Sequence, residues 1–365
     1  MEAQASLESE IRRLIAVVGP IPVAQYAALC LTHPAHGYYV TRDPLGAAGD
    51  FITAPEVSQM FGELIGLWSA AAWKAMGSPE NVRLVELGPG RGTLMRDALR
   101  ALHVTPAFRK ALVVHLVEVS PALERVQRET LVNAGAIVQW HRDLSEVPAG
   151  PVIIIANEFI DAIPVHQMVK QEDGWHERVV GVTAAGNFTF GVRPEPVPHF
   201  ERVLPKSVRE APAGSIFEWR PDNLAFEIGR RVRDKGVALM IDYGHTESEV
   251  GDTLQAVGQH AFADPLIAPG AVDITAHVDF QAFGAAAESM GAAIYGPIEQ
   301  GDFLARLGIE ARAQALKATA LPAKKTEIEA AYARLTQRGR TGMGRLFKVM
   351  ALADPAIGPP PAFAN

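Results

Sequence analysis

Cysteine is nearly absent from this 365-residue chain: there is one, Cys30. A single thiol cannot close an internal disulfide or furnish a Cys-based zinc or iron–sulfur site. It lies in the apolar stretch Ala-Ala-Leu-Cys-Leu, which predicts a buried, unreactive side chain. Long apolar runs are missing too. The longest near the middle, Val152 to Ala156, falls far short of the roughly 20 residues that span a bilayer, so no membrane insertion is expected. Positive charge is scarce: 34 Lys and Arg stand against 41 Asp and Glu, a net of −7. Binding nucleic acid in bulk needs clustered cations against phosphates, so no nucleic-acid partner is expected. The first residues show no basic segment leading into an apolar one, and they are acid-rich rather than Arg-rich. Neither a signal nor a transit peptide is read there, and the expectation is a cytoplasmic protein. HExxH, G-x-S-x-G and G-x-x-x-x-G-K-[ST] are all lacking, which excludes their zinc, nucleophile-elbow and P-loop chemistries. His33 and His36 flank Pro34, which works against a helix that would align them, and no metal site is expected.

What is present is an ordinary globular composition, 48% hydrophobic and 21% charged, in a chain long enough for about two domains. Helical spacing runs from Leu7 to Val18 and stops at Gly19-Pro20; Pro22 to Leu31 and Ser58 to Ala75 read as further helices. From residue 82 short apolar runs alternate with helical stretches: 82–87, 112–119, 136–140, 151–156 and 236–242. Such alternation predicts an α/β fold with a parallel sheet covered on both faces. Between 157 and 235 the rhythm breaks into hairpin-like segments, with turns at Asp173-Gly174 and Gly186-Asn187. The expected division is a helical N-terminal extension (1–78), an α/β core (79–161 and 223–352), a β-rich insertion (162–222) and a disordered Pro-rich tail (353–365).

The strongest local pattern is Glu86-Leu87-Gly88-Pro89-Gly90-Arg91-Gly92-Thr93, a buried strand running into a glycine loop and then a helix. Glycines at 88, 90 and 92 let the backbone turn and let a ligand approach it, with free N–H groups of the helix start behind. The dinucleotide fingerprint G-x-G-x-x-G needs its third glycine where Thr93 stands. The E-x-G-x-G-x-G form resembles instead motif I of the class I S-adenosylmethionine methyltransferases, whose loop bends around the methionine part of the cofactor. The second strand ends in Glu118, placed to accept from two ribose hydroxyls. The third runs into Asp143-Leu144, where methyltransferases carry an adenine-contacting acid. Each acid taken alone reads equally as a solvated loop end.

The fourth strand leads into Asn157-Glu158-Phe159-Ile160-Asp161, at the strand ends where open α/β sheets bind ligands. Glu158 and Asp161 are candidates for a carboxylate clamp that orients a guanidinium and takes up its proton, with Asn157 beside them. The alternative is the acidic first turn of the next helix. Asp242, with Tyr243, closes the fifth strand on the same side.

ITAPEVSQMFGELIGLW, LVELGPGRGTLMRDALR, ANEFIDAIPVHQ, IDYGH and TLQAVGQHAFADPLIAPGAVDITAHVDF together resemble successive blocks of the MidA-like family, over nearly the whole chain. The resemblance implies a class I methyltransferase (Rossmann-like) sheet with added N-terminal helices and an inserted lid or substrate subdomain. It implies S-adenosyl-L-methionine as cofactor, Gly88, Gly90 and Gly92 as its loop, and Glu118 as its ribose acid. Asn157, Glu158 and Asp161 fall in the family's N-E-F-x-D block. The family's mitochondrial members are protein-arginine methyltransferases that make symmetric dimethylarginine on a peripheral-arm subunit of NADH dehydrogenase, so a protein substrate is expected. A cofactor-binding assembly factor without turnover, a small-molecule methyltransferase and an NAD-dependent oxidoreductase are the alternatives.

Overall fold

The computed structural model describes residues 6–41, 53–258, 261–339 and 342–364. The segment from His33 to Pro55 reads as a loop rich in turn formers, and its residues 42–52 lie outside the described residues. The chain divides into two compact units. One takes residues 1–44, 161–221 and 247–279; the other takes 45–160, 222–246 and 280–365.

The larger unit holds the α/β sheet. Its strands are β1 (Val82–Leu87), β2 (Leu112–Val117), β3 (Val138–His141), β4 (Val152–Asn157), β5 (Gly236–His245), β6 (Ala293–Glu299) and β7 (Phe347–Ala353). They lie in the order β6-β7-β5-β4-β1-β2-β3. β3, β2, β1, β4 and β5 are parallel, whereas β7 runs antiparallel between β5 and β6. The expected α/β methyltransferase-like sheet is therefore present. β1 connects to β2 on one side while β4 lies on the other, so the order reverses at β1, which opens a crevice at the carboxyl ends. The central strands are apolar without alternation because the sheet is covered on both faces; all six residues of β4 are buried.

Helices α1 (Gln59–Ala75), α2 (Thr93–Ala101), α3 (Pro121–Thr130), α4 (Asn223–Val232) and α5 (Phe280–Ser289) belong to the same unit. Ser58 caps α1 by accepting from the Met60 N–H at 3.2 Å. α1 and α2 approach so closely that a Cβ on Gly66 would meet the Ala98 Cα at 2.7 Å. Among the described residues four helices, Gln300–Arg306, Ile309–Thr319, Pro322–Thr336 and Met343–Leu346, lie between β6 and β7. Buried Glu63 on α1 anchors the second of them through Arg312 at 2.7 and 2.9 Å, and also holds Arg100 at 2.9 Å.

The smaller unit contains helices Leu7–Val18 and Val23–Thr32, a sheet built on His166–Gln171 and Gly174–Val182, and a three-stranded sheet of Gln255–Gly258, Ala261–Ala263 and Asp273–Thr275. Cys30 is fully buried in its core, and burial pushes its thiol up to about 11. His33 and His36 stack at 5.3 Å beside Glu10. Trp219 stacks on His166 at 4.7 Å, and Phe217 is buried.

The expected boundaries are corrected in three places. Residues 1–78 are not one extension, because the first two helices pack with the smaller unit and α1 with the larger. Residues 247–279, expected in the core, join 161–221 instead. The tail from 354 to 364 is packed rather than disordered. Trp68 Nε1 donates to the Pro361 carbonyl at 2.9 Å, Arg306 Nη1 to that of Ala362 at 2.7 Å, and Phe363 lies against Phe303 at 5.8 Å. Its prolines have no N–H to leave unsatisfied, and their stiffness lowers the entropy lost on docking. No helix among the described residues is long and apolar enough to cross a membrane.

Candidate active site

The glycine loop between β1 and α2 is built on three positive φ angles: Gly88 at 61°, Gly90 at 54° and Gly92 at 79°. Side chains with a Cβ rarely adopt this region. At Gly88 the need is double, because a Cβ there would meet the Phe159 ring at 2.6 Å. The Gly88 N–H donates to the Val117 carbonyl at 3.1 Å, joining the ends of β1 and β2. Thr93 opens α2, and its hydroxyl donates to the Glu56 carboxylate. A polar tether thus occupies the position where a dinucleotide fold carries its third glycine.

Glu86 is buried on β1. Desolvation pushes its carboxyl up to about 8, and its Oε2 has no hydrogen-bond partner. It is therefore largely protonated at neutral pH.

Glu118 stands just past β2. Oε1 accepts from the Ser120 N–H at 2.7 Å and Oε2 from Gln127 Nε2 at 3.0 Å. Burial raises its pKa, and these donors pull it back down. Gln127, fully buried on α3, is the organiser here. Its Nε2 also donates to the Gly90 carbonyl at 2.8 Å, and its Oε1 accepts from Trp140 Nε1 at 3.0 Å. One amide thereby fixes the glycine loop, the acid and β3 together. Sequence reasoning passed over Gln127; the available clue was a polar residue at a core position of α3, nine residues after Glu118.

Asp143 is exposed. Its Oδ1 accepts from the Ser145 N–H at 2.8 Å and from the Ser145 hydroxyl, and these bonds lower its pKa. Leu144 beside it is buried. β3 and β2 are joined at this end by the Glu118 N–H, which donates to the His141 carbonyl at 2.9 Å.

After β4 the chain turns sharply. Glu158 adopts φ 50°, the left-handed region that a glutamate occupies only at a cost. Asp242 secures the turn: its Oδ2 accepts from the Phe159 N–H at 3.2 Å and the Ile160 N–H at 2.9 Å, and its Oδ1 from the Tyr243 N–H at 2.9 Å. Asp242 is almost wholly buried. The Glu158 carboxylate accepts at Oε1 from Asn157 Nδ2 at 3.0 Å and from the Ala54 N–H at 2.8 Å. Asn157 Oδ1 is buried without a partner.

Asp161 belongs to the smaller unit and is buried there. Arg220, a further residue absent from the sequence expectations, donates to four carbonyls of that unit: Ile163 at 2.9 Å, His277 at 2.7 Å, Asp161 at 3.1 Å and Ala276 at 2.7 Å. It clamps the turn after Asp161 to the turn after Thr275. Among the described residues no group of three or more His, Cys, Asp or Glu is placed to hold a metal.

The comparisons with known proteins agree with this geometry. The profile of a family of S-adenosyl-L-methionine-dependent methyltransferases matches residues 64–298. The chain is 40% identical over 377 residues to the mitochondrial protein arginine methyltransferase NDUFAF7 homolog of Drosophila melanogaster, covering 95% of this chain and 84% of that one. With the mitochondrial protein arginine methyltransferase NDUFAF7 of Homo sapiens it shares 39% over 328 residues, 82% of this chain and 72% of that one. A crystal structure of a protein from Burkholderia thailandensis bound to S-adenosyl-homocysteine superposes with TM-score 0.86 at 31% identity, covering 98% of this chain and 94% of the other. The relatives' names overturn the cytoplasmic expectation, since the fly, zebrafish and human proteins are all mitochondrial. Fold, glycine loop and relatives converge: the chain belongs to the MidA-like family of S-adenosylmethionine-dependent methyltransferases, and its cofactor is S-adenosyl-L-methionine.

Proposed function

We propose that this methyltransferase acts on a guanidinium nitrogen of arginine in a protein substrate, with Glu158 as the acid that faces the guanidinium. The observation that carries the reading is the backbone of Glu158. It is held at φ 50° by the buried Asp242 carboxylate, and its side chain is fixed by Asn157 and Ala54. Left-handed strain of this kind costs about 1–3 kcal/mol and persists where the surroundings over-determine it, as at active sites. The names of the relatives, protein arginine methyltransferases, supply the substrate class.

The residues present fit the cofactor. The glycine loop leaves backbone open where a Cβ would intrude. Glu118 accepts from Ser120 and Gln127, and a carboxylate offers about four acceptor sites, so capacity remains for a ribose hydroxyl. Glu86 and Asn157 each present a buried polar atom without a protein partner. In this proposal Gly88, Gly90, Gly92 and Glu86 hold the methionine end, Glu118 the ribose, and Asp143 with Leu144 the adenine end. Bound S-adenosylmethionine supplies an electrophilic methyl group. Glu158 orients the guanidinium through charge-assisted hydrogen bonds and favours the nitrogen that loses its proton. Asp161 falls in the same N-E-F-x-D block and belongs to the smaller unit. Asp242, expected as a catalytic residue, is reassigned: its oxygens are engaged with backbone N–H groups, so it positions Glu158. The family resemblance extends the proposal to symmetric dimethylarginine on a peripheral-arm subunit of NADH dehydrogenase.

The test is incubation of the full chain with S-adenosylmethionine and a recombinant peripheral-arm subunit, followed by mass spectrometry of its arginines. Wild type is expected to add methyl groups to arginine. Glu158→Gln is expected to lower kcat by about 10²–10³-fold while binding S-adenosylmethionine with unchanged affinity. Methylation of another residue type, or full activity of the variant, contradicts the reading.

A further inference from the structure

Glu158 is secured by a group that lies outside its own sequence block. Ala54 opens the one-turn helix Ala54–Val57 behind an extended Thr53 (φ −72°, ψ 161°). The N–H of such a first residue has no partner within its own helix, and here it donates to Glu158 at 2.8 Å. The turn cannot slide, because Ala54 and Pro55 are buried and Glu56 accepts from the Thr93 hydroxyl. Thr93 directly follows Gly92 of the glycine loop. Thr93, Glu56, Ala54 and Glu158 thus form an unbroken connection from the cofactor loop to the acid, all within the larger unit.

We propose that the Ala54 N–H is a positioning group for methyl transfer: the 53–57 turn, tethered to the glycine loop by Glu56 and Thr93, aims the Glu158 carboxylate at the guanidinium. The inference rests on the reading of Glu158 given above. A carboxylate on three rotatable bonds would otherwise sample orientations that do not meet a planar guanidinium, and misplacement by about 1 Å costs on the order of 10²-fold in rate. The turn touches neither substrate nor cofactor in this account; it acts through Glu158.

Proline is the informative substitution. Ala54→Pro removes the N–H, yet proline is favoured at a first helical position and the extended Thr53 is the conformation that a following proline requires. Ala54→Gly keeps the N–H but loses a buried methyl and loosens the helix start. The experiment is a double-mutant cycle of Ala54→Pro with Glu158→Gln in the full chain. It measures kcat and KM with the recombinant peripheral-arm subunit, S-adenosylmethionine affinity by calorimetry, and the thermal midpoint.

Ala54→Pro is expected to lower kcat about 30-fold, the loss of one hydrogen bond to a charged group, with cofactor affinity unchanged. Ala54→Gly is expected to hold kcat within about threefold of wild type despite a lower thermal midpoint. On the Glu158→Gln background, Ala54→Pro is expected to cost less than about threefold further, because its effect runs through the missing carboxylate. Should Ala54→Pro fail to fold, Glu56→Ala carries the same cycle, since it frees the turn while leaving the N–H in place. Losses that track the thermal midpoints across the variants, or that multiply with that of Glu158→Gln, overturn the proposal. An inactive Glu158→Gln beside a fully active Ala54→Pro overturns it alone; a fully active Glu158→Gln overturns the reading of Glu158 and the proposal with it.

Discussion

Glu118 and Glu158 were both legible as acids at strand ends, but their partners were not. Glu118 accepts from the Ser120 N–H and from Gln127 Nε2, partners that no sequence pattern announces. Glu118→Ala is expected to weaken S-adenosylmethionine binding about 10–100-fold, the worth of hydrogen bonds to a charged acceptor, read by calorimetry; an unchanged Kd would remove the residue from the cofactor site. Gln127 escaped notice because a glutamine on a polar helix stands out only weakly until β3 and the glycine loop close around it. Asp242 looked like a site acid from its place at the end of β5. Only the fold reveals that its Oδ2 accepts from the backbone after β4 and its Oδ1 from the Tyr243 N–H. An acid at a strand end has the same sequence appearance whether it meets a ligand or a turn.

Strand–loop–helix units with strong apolar runs were readable with nearly correct limits: β1 into α2, β2 into α3, and β4 into its acidic turn. Their signal is local, because a buried parallel strand is apolar throughout and the following helix start carries its own punctuation. The helices between β6 and β7 were not read. Ile309–Thr319 and Pro322–Thr336 are rich in alanine, which marks no clear face, and the first of these is tied to α1 through Glu63 and Arg312. The small sheet around Gln255–Gly258 carried no readable strand signal because its strands are short and separated by Gly and Pro. Arg220 belongs to this level: one guanidinium joins two turns by four carbonyls. Arg220→Met is expected to lower stability by about 2–3 kcal/mol through the stranded acceptors, seen as a lower urea midpoint. An unchanged midpoint would mean that the two turns hold without it.

Across the whole molecule, stability should respond to pH through two buried groups of opposite sense. Burial raises the Glu86 carboxyl to about 8. The folded state then holds a proton that the unfolded state has released, so this group's contribution is most favourable below pH 4.5 and is lost as pH rises towards 8. His115, stacked on His141 at 5.1 Å, is pushed down to about 4 by burial and by the neighbouring His141, Arg83 and Arg231. It stays neutral in the fold, so its contribution is intact above pH 6.5 and is lost as pH falls towards 4. Comparing wild type with Glu86→Gln isolates the first. The variant is expected to gain on wild type steadily between pH 5 and 8, by an amount of the order of 4 kcal/mol at the upper end, measured by urea titration at each pH. A gap that does not change with pH would show that Glu86 is ionised in the fold.

The glycine loop, the acids at three strand ends, the apolar strands and the block order were settled by the chain alone, because each is a local necessity. A loop with three positive φ angles so close together strongly favours glycine, and a strand buried on both faces favours apolar residues throughout. The placement of β7 antiparallel between β5 and β6, the division of the N-terminal helices between two units and the packing of the tail were settled by folding. So was the meeting of Ala54 with Glu158, 104 residues apart in sequence. Contacts of that kind depend on which surfaces remain to be buried once the sheet has formed, and no periodicity in either segment encodes its partner.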